Sequence, residues 1–292
     1  MNTCVTGSTG FVGRSLTARV SGPWTAIRFG GEDWRAQLEA APLRGATIFH
    51  LAARVHEHSA SEAQFVHDNV EKTRALGEAA ARAGARRIVF LSTIKVNSEE
   101  TRDKPFAARD TPDPQGPYAR SKWDAERALR AFPGVEVCVV RSPLVYGAGA
   151  LGNLRELLRL ADSPWPLPFA SLHNRRSFVH VDDLARLLIA CGSDARAAGA
   201  TFLAAHEQPI STAKLVATLR HKLSRPRRLY SLPATLLEAM AGPLGLTERM
   251  RRLTRNLEVD VTQAHETLGW SAQIGPEEAI DDMVHAYLGT PR

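Results

Sequence analysis

Cysteine is scarce in this chain: three among 292 residues, Cys4, Cys138 and Cys191, each alone in an apolar stretch. No disulfide framework and no metal-ligand spacing can be assembled from them, so buried, reduced thiols and no metal site are expected. Long hydrophobic runs are missing too. None approaches the roughly 20 residues that a bilayer-crossing helix needs, and the first residues lead into a glycine-rich turn without the charged and apolar segments of a secretion signal. No membrane insertion and a cytoplasmic location are therefore expected. Aromatic residues make up 7%, and no aromatic-rich module accompanies the two arginine clusters, Arg225 to Arg228 and Arg249 to Arg255. Nucleic acid is thus not the expected partner of the +6 net charge; a nucleotide cofactor and a nucleotide-linked substrate draw on the same positive field. Internal repeats and low-complexity tracts are absent as well.

What is present is an ordinary globular composition, 44% hydrophobic, with length for one large domain or two interleaved ones. Short apolar runs at Cys4-Val5, Thr25 to Ile27, Thr47 to His50, Arg87 to Leu91 and Val135 to Val140 read as buried parallel strands. Alanine-rich helical patterns over 60–83 and 118–131 lie between them. The alternation predicts an α/β fold, a Rossmann-type doubly wound parallel sheet, with a smaller, mostly helical C-terminal substrate-binding portion. After Pro143 the texture changes to Gly, Pro and aromatics, then a short strand at Ser177 to Val179 and a helix from Val181 to Cys191. Helices dominate from Thr201 onward. The expected division is a dinucleotide-binding domain over 1–146 and about 176–200, with 147–175 and 201–292 forming the substrate portion.

Thr6-Gly7-Ser8-Thr9-Gly10-Phe11-Val12-Gly13 follows the first strand and opens a helix, the setting in which backbone N–H groups approach a pyrophosphate. Gly7, Thr9, Gly10, Phe11, Val12 and Gly13 are the candidate cofactor residues; a tight strand-to-helix turn without ligand is the alternative. Arg28 follows the second strand where this fold meets the adenosine ribose, and an arginine there accommodates a 2′-phosphate, which favours NADP(H) over NAD(H). Asp33 either touches adenine or caps the helix near Trp34. His50-Leu51-Ala52-Ala53 puts small residues, Leu51, Ala52 and Ala53, where backbone lies against a flat ligand. Asn69, costly inside a helix unless its side chain has a partner, is given a polar role behind the site. Tyr118 and Lys122 share a helix face, and an ammonium beside a phenol lowers its pKa from about 10, allowing proton exchange near neutrality. Thr93, just past the fourth strand, supplies a hydroxyl for a substrate carbonyl. Lys95 is either an exposed lysine or a contact to an anionic or N-acetyl group.

The order of glycine loop, small-residue turn, Thr93, then Tyr118 and Lys122 resembles the extended short-chain dehydrogenase/reductase family over essentially the whole chain. The resemblance implies a catalytic Thr93, Tyr118 and Lys122, with Lys122 also reaching the nicotinamide ribose. Arg141-Ser142-Pro143-Leu144-Val145-Tyr146-Gly147 looks like that family's arginine-to-Tyr-Gly segment. Asn153, Phe169, Arg176 and Arg252 fall where relatives contact the sugar, uracil or diphosphate of a UDP-linked sugar. The stretches His50 to His56, Ser92 to Asn97, Pro166 to Phe169 and Asn174 to Ser177 resemble a UDP-glucose 4-epimerase-like branch. That branch includes 4-reductases of UDP-4-keto-6-deoxy-N-acetylglucosamine, which supply UDP-N-acetylquinovosamine for O-antigen, the polysaccharide of lipopolysaccharide, or for capsule. The segment between Arg28 and Trp34 is shorter than the family pattern.

Ile94 and Lys95 stand where a dehydratase places an acid pair, and Ile94 where a decarboxylase has glutamate, so both reactions are excluded. Reduction and epimerisation use the same residues; Arg28 tilts the expectation to an NADPH-dependent 4-ketoreductase, with a 4-epimerase holding NAD as the alternative. A non-catalytic dinucleotide sensor or scaffold is disfavoured by retention of both Tyr118 and Lys122. A homodimer through the helices over 60–83 and 118–131 follows from the resemblance.

Overall fold

A computed structural model describes residues 2–55, 60–150 and 152–289; His56, which ends one of the motif stretches, lies outside them. The strands are β1 (Thr3–Thr6), β2 (Trp24–Ile27), β3 (Thr47–His50), β4 (Arg87–Thr93), β5 (Glu136–Ser142), β6 (Leu144–Tyr146), β7 (Phe178–His180) and β8 (Thr201–Leu203). The helices are α1 (Phe11–Thr17), α2 (Trp34–Glu39), α3 (Glu62–Phe65), α4 (Lys72–Ala83), α5 (Gly116–Arg130), α6 (Asn153–Asp162), α7 (Val181–Ser193), α8 (Thr212–Lys222), α9 (Ala234–Ala241), α10 (Thr247–Thr254), α11 (Thr262–Leu268) and α12 (Pro276–Leu288). None among the described residues is long and apolar enough to cross a membrane.

The main sheet runs β2-β1-β3-β4-β5-β8, every pair parallel. Its central strands β1, β3, β4 and β5 are apolar in their middles because both faces are covered, whereas the edge strand β2 buries Ile27 alone. Alternate residues point to opposite faces. Cys4, Ile48, Ile88, Phe90, Val137 and Val139 pack with Leu76 and Ala80 of α4 and Ala125 and Leu129 of α5. Their neighbours Val5, Phe49, Val89, Cys138 and Val140 pack on the other side, with Leu16 of α1 and Leu184, Leu188 and Cys191 of α7. Each fully buried Val, Ile or Phe contributes roughly 1.5–3 kcal/mol relative to exposure. The expected doubly wound α/β sheet is present.

Three expectations change. The strand near Ser177 is β7, and it pairs with β6 in a separate two-stranded sheet. Pro143 explains the separation, because it lies directly between β5 and β6 and supplies no N–H to continue the main ladder. Thr201 starts β8, which pairs with β5 at the edge of the main sheet, so the sheet reaches past the expected boundary at residue 200. Three residues of Thr-Phe-Leu beside alanines carry too little pattern to announce a strand. The long helix over 60–83 is three pieces, α3, a π-turn over Val66–Glu71, and α4. Ser61 and Gln64 form a capping box at its start.

The smaller portion has its own core, in which Leu154, Leu157 and Leu158 of α6, Leu215 and Leu219 of α8, and Ile280 and Met283 of α12 surround Tyr146 and Phe178. The outward residues of α4 are Arg74, Glu78 and Arg82, and those of α5 include Arg120, Asp124 and Arg127. No described exposed large hydrophobic lies on either helix.

Candidate active site

The sheet order reverses between β1 and β3, and the crevice beyond their carboxyl ends is where this architecture takes ligands. Gly7 ends β1 with φ +70°, and a Cβ there would lie 2.7 Å from the Ala52 nitrogen and 2.9 Å from the Leu51 carbonyl carbon. A Cβ on Gly13 would lie 2.1 Å from the Gly7 oxygen. The first glycine therefore lets the turn after β3 close on the loop, and the last lets α1 seat against it. Thr9 and Gly10 stay exposed above, with Phe11, Val12, Leu51, Ala52 and Ala53 half-buried around them. Gly10 caps α1 without any side-chain hydrogen bond, which leaves the first N–H groups of the helix open. A loop whose helix-opening N–H groups carry no side-chain cap and which is closed beneath fits a dinucleotide pyrophosphate.

Three residues to which the sequence assigned no role, Thr6, His50 and Thr73, hold this crevice together. The Thr6 hydroxyl accepts from the Leu51 and Ala52 N–H groups, both at 3.1 Å, and lies 2.7 Å from His50 Nδ1. With two donors already aimed at it, the hydroxyl gives its own hydrogen to Nδ1. His50 Nε2 then donates to the Thr73 hydroxyl at 2.8 Å. A neutral imidazole is required, and burial, followed by the nearby Lys122 charge, pulls the His50 pKa down to about 3.

Thr93 closes β4, and Tyr118 and Lys122 face it from α5. Burial pushes the Tyr118 hydroxyl up to about 12, opposed by its hydrogen bond with Thr93. Lys122 is 2% exposed; its ammonium donates to the Leu91 carbonyl at 2.8 Å and sits 3.9 Å over the Phe90 ring. Burial draws its pKa down to about 7, and Glu126 one turn along works the other way. The expected lowering of the phenol by Lys122 is therefore not the state seen here. The ammonium is spent on β4, and desolvation dominates the phenol.

Asn69 sits in the π-turn and is fully committed to the protein. Its Oδ1 accepts from Arg54 N at 2.7 Å, and its Nδ2 donates to Arg54 O at 3.0 Å and Ser121 Oγ at 2.9 Å. Ser121 in turn donates to the Tyr118 carbonyl at 2.8 Å. The partner that Asn69 needed is thus the turn after β3 together with α5, and its side chain has no donor left for a cofactor. Under α5, Glu126 accepts from Ser92 at 2.5 Å and from Arg141 at 3.0 and 2.7 Å, and Arg141 also donates to Asn97 at 2.9 Å. Glu126 and Arg141 are almost fully buried. Removing one partner of such a pair leaves an uncompensated buried charge.

A cleft of ≈ 940 Å³ opens beside Tyr118, lined among others by Phe65, Glu99, Arg251 and Arg252. Lys95 donates to both Glu99 oxygens, at 2.7 and 2.8 Å. The charges of Glu99 and Arg252 are both felt by Lys95 and by Arg176, so three cations gather around one carboxylate. Arg176 is 6% exposed and burial lowers it to about 10, while its Nη1 donates to Arg255 O at 3.0 Å. The Arg252 Nε is buried with no hydrogen-bond partner among the described residues. Such a cluster has spare positive charge for a phosphate-bearing ligand.

Other expected residues fall elsewhere. Arg28 is exposed just beyond β2 with no partner among the described residues, and Asp33 stands at the N-cap position of α2 without a side-chain capping bond, its carboxylate accepting instead from the Gln37 side chain at 2.8 Å. Asn153 is exposed at the first turn of α6 and does not line this cleft. Phe169 is 4% exposed within the core of the smaller portion, where its ring is taken up by packing rather than by a ligand.

Residues 32–202, more than half of the chain, match the NAD dependent epimerase/dehydratase family. The chain belongs to that family. Within it, a UDP-glucose 4-epimerase from Vibrio cholerae is 32% identical over 310 residues, spanning 97% of this chain and 94% of the relative. The structure of RMD from Pseudomonas aeruginosa complexed with NADPH superposes with a TM-score of 0.77 at 20% identity over 99% of both chains. MoeE5 in complex with UDP-glucuronic acid and NAD gives a TM-score of 0.76 at 24% identity, again over 99% of each. These two likenesses establish the fold. Membership in the epimerase/dehydratase family agrees with the resemblance read from Thr93, Tyr118, Lys122 and the glycine loop.

Proposed function

We propose that this chain reduces the C4 ketone of a UDP-4-keto-6-deoxy-hexosamine, using NADPH. The reading rests on one juxtaposition: Tyr118, hydrogen-bonded to Thr93 and one helical turn from Lys122, lines a cleft together with Glu99 and Arg252, and the charges of Lys95 and Arg176 act on that same pair. Gly7, Gly10, Gly13, Ala52 and Ala53 would hold the dinucleotide, with Arg28 available to a 2′-phosphate. When bound, the dinucleotide supplies the hydride. The chain supplies the proton and the geometry. Thr93 orients the ketone oxygen through its hydroxyl, and Tyr118 gives that oxygen its proton. A phenol held up at about 12 is protonated at neutral pH, the form a reduction needs at its start. Lys122, four residues along the same helix, would hold the nicotinamide ribose on release from the Leu91 carbonyl. Arg176 pairs with the diphosphate.

A second reading, UDP-sugar 4-epimerase with retained NAD, is favoured by the Vibrio cholerae relative. Purified protein incubated with NADPH and the 4-keto sugar should consume nicotinamide absorbance with the sugar as limiting reagent. Absence of that loss, together with interconversion of UDP-N-acetylglucosamine and UDP-N-acetylgalactosamine, replaces the reductase by the epimerase. Tyr118→Phe should abolish turnover and leave dinucleotide binding nearly intact; turnover at the parent rate removes Tyr118 from the chemistry.

A further inference from the structure

The segment 225–255 contains seven arginines, two glutamates and no aspartate or lysine. Both acids are already matched: Glu238 holds Arg255 at 2.6 Å, and Glu248 lies 3.4 Å from Arg251. Acids outside the segment meet Arg225 (Asp162, 2.9 Å), Arg249 (Glu156, 4.0 Å) and Arg255 (Glu100, 3.8 Å), so its exposed cations with no carboxylate partner among the described residues are Arg227 and Arg228. Within it lies an outward apolar stripe. Leu236 is 45% exposed, Met240 57% and Leu244 71%, each four residues after the last. Leu237 and Ala241 on the other side of α9 are buried, and α9 packs against α10, so the stripe is not a core face left ajar. Beside Arg228, which donates to the Pro164 carbonyl, Trp165 projects at 72% exposure. Tyr230, on the strand-like pairing of 167 with 229, is 46% exposed.

We propose that this face docks on an anionic lipid bilayer. Exposed arginines together with exposed leucine, methionine and tryptophan match the chemistry of an interfacial surface, where apolar side chains enter the headgroup boundary and guanidinium groups meet phosphates. A second copy of this chain is a poor occupant, because an isologous pairing sets arginine cluster against arginine cluster. Exposed apolar area of this kind has a function where it is kept in a soluble fold. Since Glu248, Arg251 and Arg252 of α10 line the cleft, docking through α9 brings the cleft's charged rim near the headgroups.

The test is co-sedimentation of the full chain with vesicles of phosphatidylcholine alone or with about a third phosphatidylglycerol. The expected result is at least about tenfold enrichment on the anionic vesicles, abolished by high salt. Met240→Glu with Leu244→Glu should remove that enrichment while the melting temperature and UDP binding hold. Arg227→Ser with Arg228→Ser should weaken it without touching the stripe, which keeps the proposal testable if the first pair misfolds. Equal partition to both vesicle types, or anionic binding that neither pair alters, overturns the proposal. So does a concentration-dependent dimer that the Met240/Leu244 pair dissociates, since a second copy then covers the stripe.

Discussion

Lys122→Met should make this protein more stable, and the gain should depend on pH in a stated direction. Lys122 is 2% exposed, donates to one carbonyl, and has its pKa drawn from 10.5 to about 7. In the unfolded chain the lysine keeps the ordinary value, so between pH 7 and 10.5 the unfolded state binds the extra proton. Stability of the parent therefore rises with pH across that window and is lowest, and level in this respect, below about 7. At pH 7 the displacement corresponds to about 4 kcal/mol of penalty. Methionine fills similar volume without a charge, and gives up one hydrogen bond worth about 1 kcal/mol together with the contact to Phe90. A net gain of about 2–3 kcal/mol at pH 7 is expected, shrinking by roughly 1.4 kcal/mol per pH unit towards pH 10. Urea unfolding of both proteins at several pH values from 7 to 10 measures this directly, and turnover should be lost in the variant. A stability difference that is flat with pH, or a variant weaker throughout, refutes the account of Lys122 as a desolvated amine retained for its chemistry.

Other outcomes follow from the site. Asn69→Ala removes three hydrogen bonds that tie the turn after β3 to α5 and should cost about 2–3 kcal/mol in denaturant unfolding, with turnover falling as Tyr118 loses its support; a cost below about 0.5 kcal/mol leaves Asn69 a bystander. Gly13→Ala puts a Cβ where the Gly7 oxygen lies, so dinucleotide affinity by fluorescence titration should drop at least about tenfold while far-ultraviolet circular dichroism stays native. Arg28→Ala should weaken NADPH and spare NADH; equal loss for both cofactors withdraws the 2′-phosphate role. On the acid side, His50 is held neutral with its pKa near 3, so stability should decline as pH falls from about 6.5 towards 3, the range in which only the unfolded chain takes up that proton.

The glycine loop and the Tyr118–Lys122 face were legible in the sequence because both are local patterns: a turn needs glycines at close spacing, and residues four apart on a helix share a side. The central parallel strands were legible for the same reason, since burial on both faces makes the middle of each run apolar. Thr6, His50 and Thr73 were not, because their bond chain joins positions far apart and each residue type is common in many roles. Phe169 was misplaced for another reason. A motif position says which residue stands near a ligand in relatives, whereas here the ring is consumed by the core around Tyr146 and Phe178. The Lys95, Arg176 and Arg252 cluster was proposed one residue at a time; its Glu99 went unnoticed because a carboxylate one turn after a lysine reads as an ordinary surface pair.

The separation of β5 from β8 bears on how the chain is made. A chain emerging from its N-terminus can lay down β1 to β5 early, but the strand that covers β5 comes only after β6, α6, β7 and α7. Through all of that synthesis Val139, Val140 and Arg141 stand on a growing sheet with an unpaired border, the kind of edge that recruits other strands. Recovery of native protein should thus hinge on what shields this valine edge before residue 201 arrives, and a short, three-residue strand at the end of that wait is what closes it.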